Sequence, residues 1–451
     1  MKNRKILSEG KISSHIISLS IPLIISNIFN TIFELIDAIF IGKLGASALA
    51  GVTIAGTVLF FLATFGGGLS VGTVALISRF TGAKEYNKAN EVAFQSIIIG
   101  AIFSVIFGIL GYIFASDILF LLGAKGDVLT SGSFYIKILF SGIITMFFLF
   151  IGSAILRGSG DMKTPMFISI IATIINIILD WLLIFGNLGF PCLGIKGGAL
   201  ATIIGRGIGG LIILIILFRG EHNISLKKMK FKINFSIIYK IIKIGFPASI
   251  QMFVRSTSAI ILVKIVSFFG TATIAAYGIG ARINSLFLLP GFGFADTSAT
   301  MVGQNLGAHK LRRARKSVYT SSFYYFIVLL FFSFFVFLFS KDIVKIFNSN
   351  KDVISIGSIY LKFIAISSLS LSVGLVFSRS FQGAGNAVTP MIITIISLYV
   401  VQLPLAYLLS IYLKIGEIGI WISQLIASYL QAFLIFWLFK KNIWLKKIKQ
   451  F

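Results

Sequence analysis

The chain of 451 residues contains one cysteine, three histidines and fourteen acidic residues. The lone Cys192 rules out an intramolecular disulfide, and His15, His222 and His309 are scattered without metal-ligand spacing. No HExxH zinc motif and no Ser/His or paired-aspartate protease motif occurs, so the sequence points away from an enzyme. Charge is scarce too: Asp, Glu, Lys and Arg make up 12% of the chain, against roughly a quarter of a soluble domain. No polar stretch is long enough to form a soluble domain, which argues against a signalling role.

What fills the chain instead is apolar, at 57% hydrophobic residues. Runs of about 20 apolar residues recur, each able to cross a bilayer as a helix. Twelve spans are expected, near 16–40, 50–78, 92–114, 131–155, 165–186, 197–218, 240–268, 274–303, 318–339, 354–379, 389–411 and 416–439. The expected fold class is an all-α integral membrane protein with twelve transmembrane helices. Several spans exceed the length that a bilayer needs, which implies tilt or kinking.

The net charge of +26 would suggest nucleic acid in a soluble protein. Here the basic residues gather in alternate loops, around 2–11, 79–88, 157–163, 219–243, 310–316 and 440–449. The opposite loops hold only Lys43, Lys125, Lys196, Lys341, Lys345, Lys351 and Lys414. The positive-inside rule makes the first set cytoplasmic, with both termini inside. The expected location is the cell inner (plasma) membrane, multi-pass, with the basic N-terminus read as a cytoplasmic lead-in rather than a cleaved signal. The loop 220–238 reads either as a solvated basic linker or as one touching anionic headgroups.

The sequence also repeats at an offset of 225. Pro22 meets Pro247, Gly82-Ala83 meets Gly307-Ala308, and Thr164-Pro165-Met166 meets Thr389-Pro390-Met391 (247 − 22, 307 − 82 and 390 − 165). Six spans per half is an even number, so the halves enter the membrane in the same sense as parallel repeats. The expected division is 1–219 as an N-terminal six-helix lobe, 220–238 as a cytoplasmic linker and 239–451 as a C-terminal six-helix lobe. Two such bundles around a central cleft are the signature of a secondary transporter.

Ionisable residues inside spans are functional candidates, because a charge near the bilayer centre costs about 2.5–3.5 kcal/mol on insertion scales. Asn176 and Asp180 lie one turn apart on one face of the fifth span, offering hard oxygens that suit Na⁺ or a proton. Asp37 on the first span could join them, and two such acids would hold a shared proton or a cation. Each of these acids could instead be structural, near the end of its helix. Glu34, Arg255 and Asp296 are substrate-cavity candidates, Glu34 with a rim position as the alternative. Arg206, Arg255, Lys264, Arg282 and Asp296 could equally form charge pairs within the bundle. Pro22 and Pro247 sit at matching places in spans one and seven, where each frees a carbonyl and can bend the helix.

These residues together resemble the multidrug and toxic compound extrusion (MATE) family. The likeness includes Leu-Ser-Ile-Pro in span one, residues 156–161 (Leu-Arg-Gly-Ser-Gly-Asp) with Thr164-Pro165, and Gly197-Gly198-Ala199-Leu200-Ala201-Thr202 opening span six. The resemblance implies a cation site in the N-terminal lobe at Asp37, Asn176, Asp180 and Thr202, with Na⁺ or H⁺ as coupling ion and no other cofactor. Some members also carry acids on spans seven and ten. Here Arg255 takes the span-seven position and span ten has none, which disfavours a second ion site. Asp296 on span eight is expected to compensate by pairing with Arg255.

The function expected is a cation-coupled antiporter exporting organic, cationic and amphipathic compounds by alternating access. A lipid-linked oligosaccharide flippase of the same superfamily and a non-transporting membrane scaffold are the alternatives. Expected partners are a small organic substrate, Na⁺ or H⁺ and membrane lipids, with no nucleic acid and the chain as a monomer.

Overall fold

The computed structural model describes residues 7–220, 223–227 and 232–445. Lys2, Arg4, Lys5, His222, Lys228, Lys230, Lys446, Lys447 and Lys449 lie outside the described residues. Within them the first half forms α1 (Ile12–Gly42), α2 (Ala46–Gly82), α3 (Tyr86–Ile113), α4 (Ala115–Leu121), α5 (Gly126–Ser141), α6 (Ile143–Gly158), α7 (Lys163–Phe185) and α8 (Ile195–Arg219). The second half forms α9 (Phe235–Ser267), α10 (Thr271–Gly307), α11 (Leu311–Leu338), α12 (Ser340–Phe347), α13 (Lys351–Ser368), α14 (Leu371–Gly383), α15 (Val388–Ile395), α16 (Leu403–Tyr407) and α17 (Glu417–Lys440). No strand occurs among the described residues.

The 225-residue offset governs the backbone as well as the sequence. The starts of α2, α3, α4, α5 and α7 (46, 86, 115, 126 and 163) plus 225 give the starts of α10, α11, α12, α13 and α15. Turn conformations repeat with them. Lys84 at φ 61 matches His309 at φ 57, and Gly160 at φ 92 matches Gly385 at φ 88. Left-handed residues at these places end one helix and redirect the chain into the next.

Among the described residues, ten helical spans are long and apolar enough to cross a membrane, and up to twelve if each of two bent pairs is one span. The bent pairs correct two expected spans. The run at 131–155 is α5 and α6, bent by 52°, and the run at 354–379 is α13 and α14, bent by 46°. An unbroken apolar run gives no warning of such a break, because neither contains a proline. Hydroxyls add bonds to carbonyls around each bend, most of which also accept a backbone N–H. Ser141 Oγ donates to Ile138 O (2.6 Å) and Thr145 Oγ1 to Gly142 O (2.8 Å). Ser368, Ser370 and Ser372 do the same at the second bend. Within hydrocarbon such internal satisfaction is what makes a break tolerable. The helices α2 and α10 run to 37 residues each, about 55 Å at 1.5 Å per residue, so both outreach a hydrocarbon core of about 30 Å.

The chain divides into two compact units. Among the described residues, unit 1 takes in those from 25 to 246, and unit 2 those from 7 to 24 and from 247 to 445. The sequence division followed the chain at the 220–238 linker, whereas the contacts divide it inside α1 and α9. Both helices continue through Pro22 and Pro247, and the unit boundaries fall within two residues of these prolines. The first half of α1 therefore packs in unit 2. Arg313 helps to hold it there, donating to the carbonyls of Leu7, Glu9 and Gly10, while Lys310 Nζ donates to Ser8 O. Ser20 Oγ donates to Thr297 Oγ1 at 3.0 Å deeper in the same unit.

The described part of the linker folds back on unit 1 rather than standing free in solvent. Ile224 and Leu226 are buried, Ser225 N donates to Asn90 Oδ1, Gln95 Nε2 donates to Lys232 O, and Asn234 Nδ2 donates to Glu91 Oε1.

Candidate functional site

Helices α1, α5, α7 and α8 of unit 1 bring Asp37, Asn176, Asp180 and Thr202 into one neighbourhood. The approach begins with glycine. A Cβ at Gly197 would strike the Leu183 carbonyl, and one at Gly205 would lie 3.0 Å from the Ala172 carbonyl oxygen and from Asn176 Cβ. So α8 lies backbone-close on α7 because these positions have no side chain. The next glycine, Gly198, faces α1, with its missing Cβ 3.8 Å from Asp37 Oδ1. Asp37 and Asp180 interact electrostatically, which joins the α1 acid to the α7 pair.

Asn176, Asp180 and Thr202 are buried, Asp180 completely. Asp37 Oδ1, Asn176 Oδ1 and Nδ2, both Asp180 carboxylate oxygens and Thr202 Oγ1 are buried with no hydrogen-bond partner. Orphaned polar atoms are rare in protein interiors, since each costs about 1–3 kcal/mol. Concentrating five oxygens of this kind in one place makes sense if something positive belongs among them. Among the described residues, no three His, Cys, Asp or Glu side chains gather as a metal cluster. Two carboxylates with neutral amide and hydroxyl oxygens suit a monovalent cation or a proton better than a divalent metal.

Two further residues border this group. Buried Tyr135 of α5 stands beside Thr202, within electrostatic reach of Asp37 and Asp180. Arg206 is one turn along α8 from Thr202 and lines a small cleft with it; Asp37 and Glu34 both act on its charge. Glu34 is exposed. The i, i+4 relation of Arg206 to Thr202 was available in the sequence. Tyr135 carried no such signal, being one of 13 tyrosines.

The family model MatE matches residues 22–182 and again 247–408. The chain belongs to the MATE family. The two matches are the two sequence repeats, since 22 + 225 is 247. Among curated relatives, "Probable multidrug resistance protein NorM" of Thermotoga maritima is 29% identical over 443 residues, covering 97% of this chain and 94% of the relative. A "FAD transporter" of Shewanella oneidensis is 25% identical, covering 90% of each. An outward-facing MATE transporter of the MOP superfamily is similar in structure, with a TM-score of 0.91 and 25% identity, over 100% of this chain and 99% of the other. The family acts on small organic compounds across membranes; its members are transporters and not enzymes.

Unit 2 holds a different polar core. Gln382 Nε2 of α14 donates to Gln251 Oε1 of α9 at 2.8 Å, and Gln251 Nε2 donates to Thr394 Oγ1 at 2.8 Å. Asp296 forms its ion pair with Arg379 of α14 (Oδ1 to Nε, 3.4 Å), which corrects the expected pairing with Arg255. Arg379 closes the tenth expected span, where a basic residue beside the membrane surface gives no sign of an interior partner. Arg255 makes no hydrogen bond or ion pair among the described residues, and Lys264 and Arg282 are exposed. The repeat mate of α7 also departs from it. Residues 396–402 and 408–412 are π-helical around α16, whereas α7 is regular throughout. At the offset of 225, Asn176 and Asp180 meet Val401 and Leu405, so the oxygen cluster has no counterpart in this half.

Proposed function

We propose that the protein is a cation-coupled antiporter of the inner (plasma) membrane, in which Na⁺ or H⁺ moving inward drives organic compounds outward. The observation that supports this reading most strongly is the group of five buried, unpartnered oxygens on Asp37, Asn176, Asp180 and Thr202. A cation or proton arriving there neutralises the two carboxylates and supplies the missing partner. Organic cations that need the same negative charge compete with it, so ion and cargo exclude one another. Antiport follows when the conformational preference of the protein depends on which of them is bound. Arg206 limits the negative charge at rest, since among the described residues its charge acts on both Asp37 and Glu34. The chain works as a monomer with both termini in the cytoplasm, an orientation that the lysine and arginine loops favour.

Proteoliposomes loaded with a fluorescent organic cation test the reading when Na⁺ and pH gradients are imposed in turn. Efflux of the dye driven by one of the two gradients is the expected result. Dye movement indifferent to both would rule out ion coupling.

A further inference from the structure

Counting the interior charges of unit 2 leaves an excess that the ion-coupling site does not use. Among the described residues Asp296 is paired to Arg379 Nε, and Arg255 has no ion-pair partner. The geometry puts the two guanidinium groups on the same side of one structural feature, the Gln251–Gln382 hydrogen bond. Arg255 follows Gln251 by one turn on α9, and Arg379 precedes Gln382 by nearly one turn on α14. These helices run in opposite senses, being the first and fourth crossings of the half. A step forward on α9 and a step back on α14 therefore lead in the same direction. The arginines are accordingly close enough for Arg379 to act on the charge of Arg255.

Like charges close together repel, and among the described residues only Arg379 of the two has an acidic partner. The guanidinium of Arg379 is fixed on two edges, by Asp296 at Nε and by Gln382 Oε1 at Nη1 (3.0 Å). Its Nη2 takes no hydrogen bond among the described residues, and neither does any nitrogen of Arg255. The Gln251, Gln382 and Thr394 network behind them is satisfied internally, so it braces Arg379 rather than competing for a ligand. Free N–H groups on two adjacent guanidinium planes, one of them held rigidly, match the planar or tetrahedral oxyanions that arginine binds in bidentate fashion.

We propose that Arg255 and Arg379 form an oxyanion-binding site in unit 2 that receives the carboxylate or phosphate of an organic compound. The proposal rests on the reading of the chain as an exporter of small organic molecules, and it extends the cargo to acidic and zwitterionic ones. Arg379 is the braced anchor and Arg255 the second donor, free to close on the ligand.

The test uses the full chain in phosphatidylcholine nanodiscs with two xanthene dyes of opposite charge, carboxyfluorescein and rhodamine 123, read by fluorescence anisotropy. Arg255→Gln is the informative variant, because Arg255 has no partner to strand and its removal should leave the melting temperature unchanged. Wild type is expected to bind carboxyfluorescein, and Arg255→Gln to lower the preference for carboxyfluorescein over rhodamine by about tenfold or more. Arg255→Lys should recover part of that preference through its charge alone. Displacement of the dye by phosphatidylglycerol in the disc would support the site and make a lipid headgroup phosphate its occupant. No carboxyfluorescein binding by wild type, or equal preference in Arg255→Gln, overturns the proposal. The two readings fail separately. Gradient-driven rhodamine efflux without Arg255-dependent anion binding sinks only the anion site, and the reverse result sinks only the antiporter.

Discussion

Gly197 and Gly205 decide how near α8 can come to α7, and through that how near Thr202 stands to Asn176 and Asp180. Gly197→Val would press two methyl groups into the Leu183 carbonyl. Overpacking of this kind costs about 1–3 kcal/mol, and the expected result is a lowered unfolding temperature in detergent together with weakened ion coupling. An unchanged melting curve would mean that α8 has room which the backbone contacts deny. At this scale the sequence was readable wherever chemistry is rare. Asp37 and Asp180 stood out because acids seldom lie within spans, and Asn176 because it sits a turn from Asp180. Arg379 was not legible because an arginine at the end of a span looks like a boundary residue, and Tyr135 because an aromatic side chain in an apolar run looks like packing.

Among the elements, the lead-in to α1 is the clearest case of a segment held by the basic start of a helix, α11. Three nitrogens of Arg313 and the ammonium of Lys310 satisfy carbonyls at residues 7–10. Arg313→Ala should free that turn, and hydrogen exchange of the amides around 8–15 should accelerate about tenfold or more. Exchange at the wild-type rate would show that buried Leu7 and Ile16 anchor the segment alone. Periodicity and run length located the membrane spans, since each must at least cross the hydrocarbon, but not the short helices α4 and α12. They could not reveal the bends between α5 and α6 or between α13 and α14. Serine and threonine hydroxyls bond carbonyls at both bends, but such residues are scattered through the other spans too and single out no position in the sequence. Nor could periodicity reveal the π-helical turns beside α16, where the backbone of the second half leaves the pattern of the first.

For the whole molecule, duplication supplies two units of one design, and substitution has since made them chemically unlike. Unit 1 holds buried acids and neutral oxygens, and unit 2 holds arginines braced by glutamines. The basic loops give the duplicated chain its orientation. In a Cys192→Ser background, Lys125→Cys should react with a membrane-impermeant maleimide added outside intact cells, and Lys84→Cys should not. The opposite labelling would invert the topology. The central claim is that the unit 1 oxygen cluster couples the ion to export. Its most direct test compares wild type with Asp180→Asn in proteoliposomes loaded with ethidium, under Na⁺ and pH gradients in turn. The account predicts ethidium efflux by wild type under one of the gradients and none above background by Asp180→Asn, at equal protein incorporation. Efflux by Asp180→Asn at the wild-type rate would contradict it.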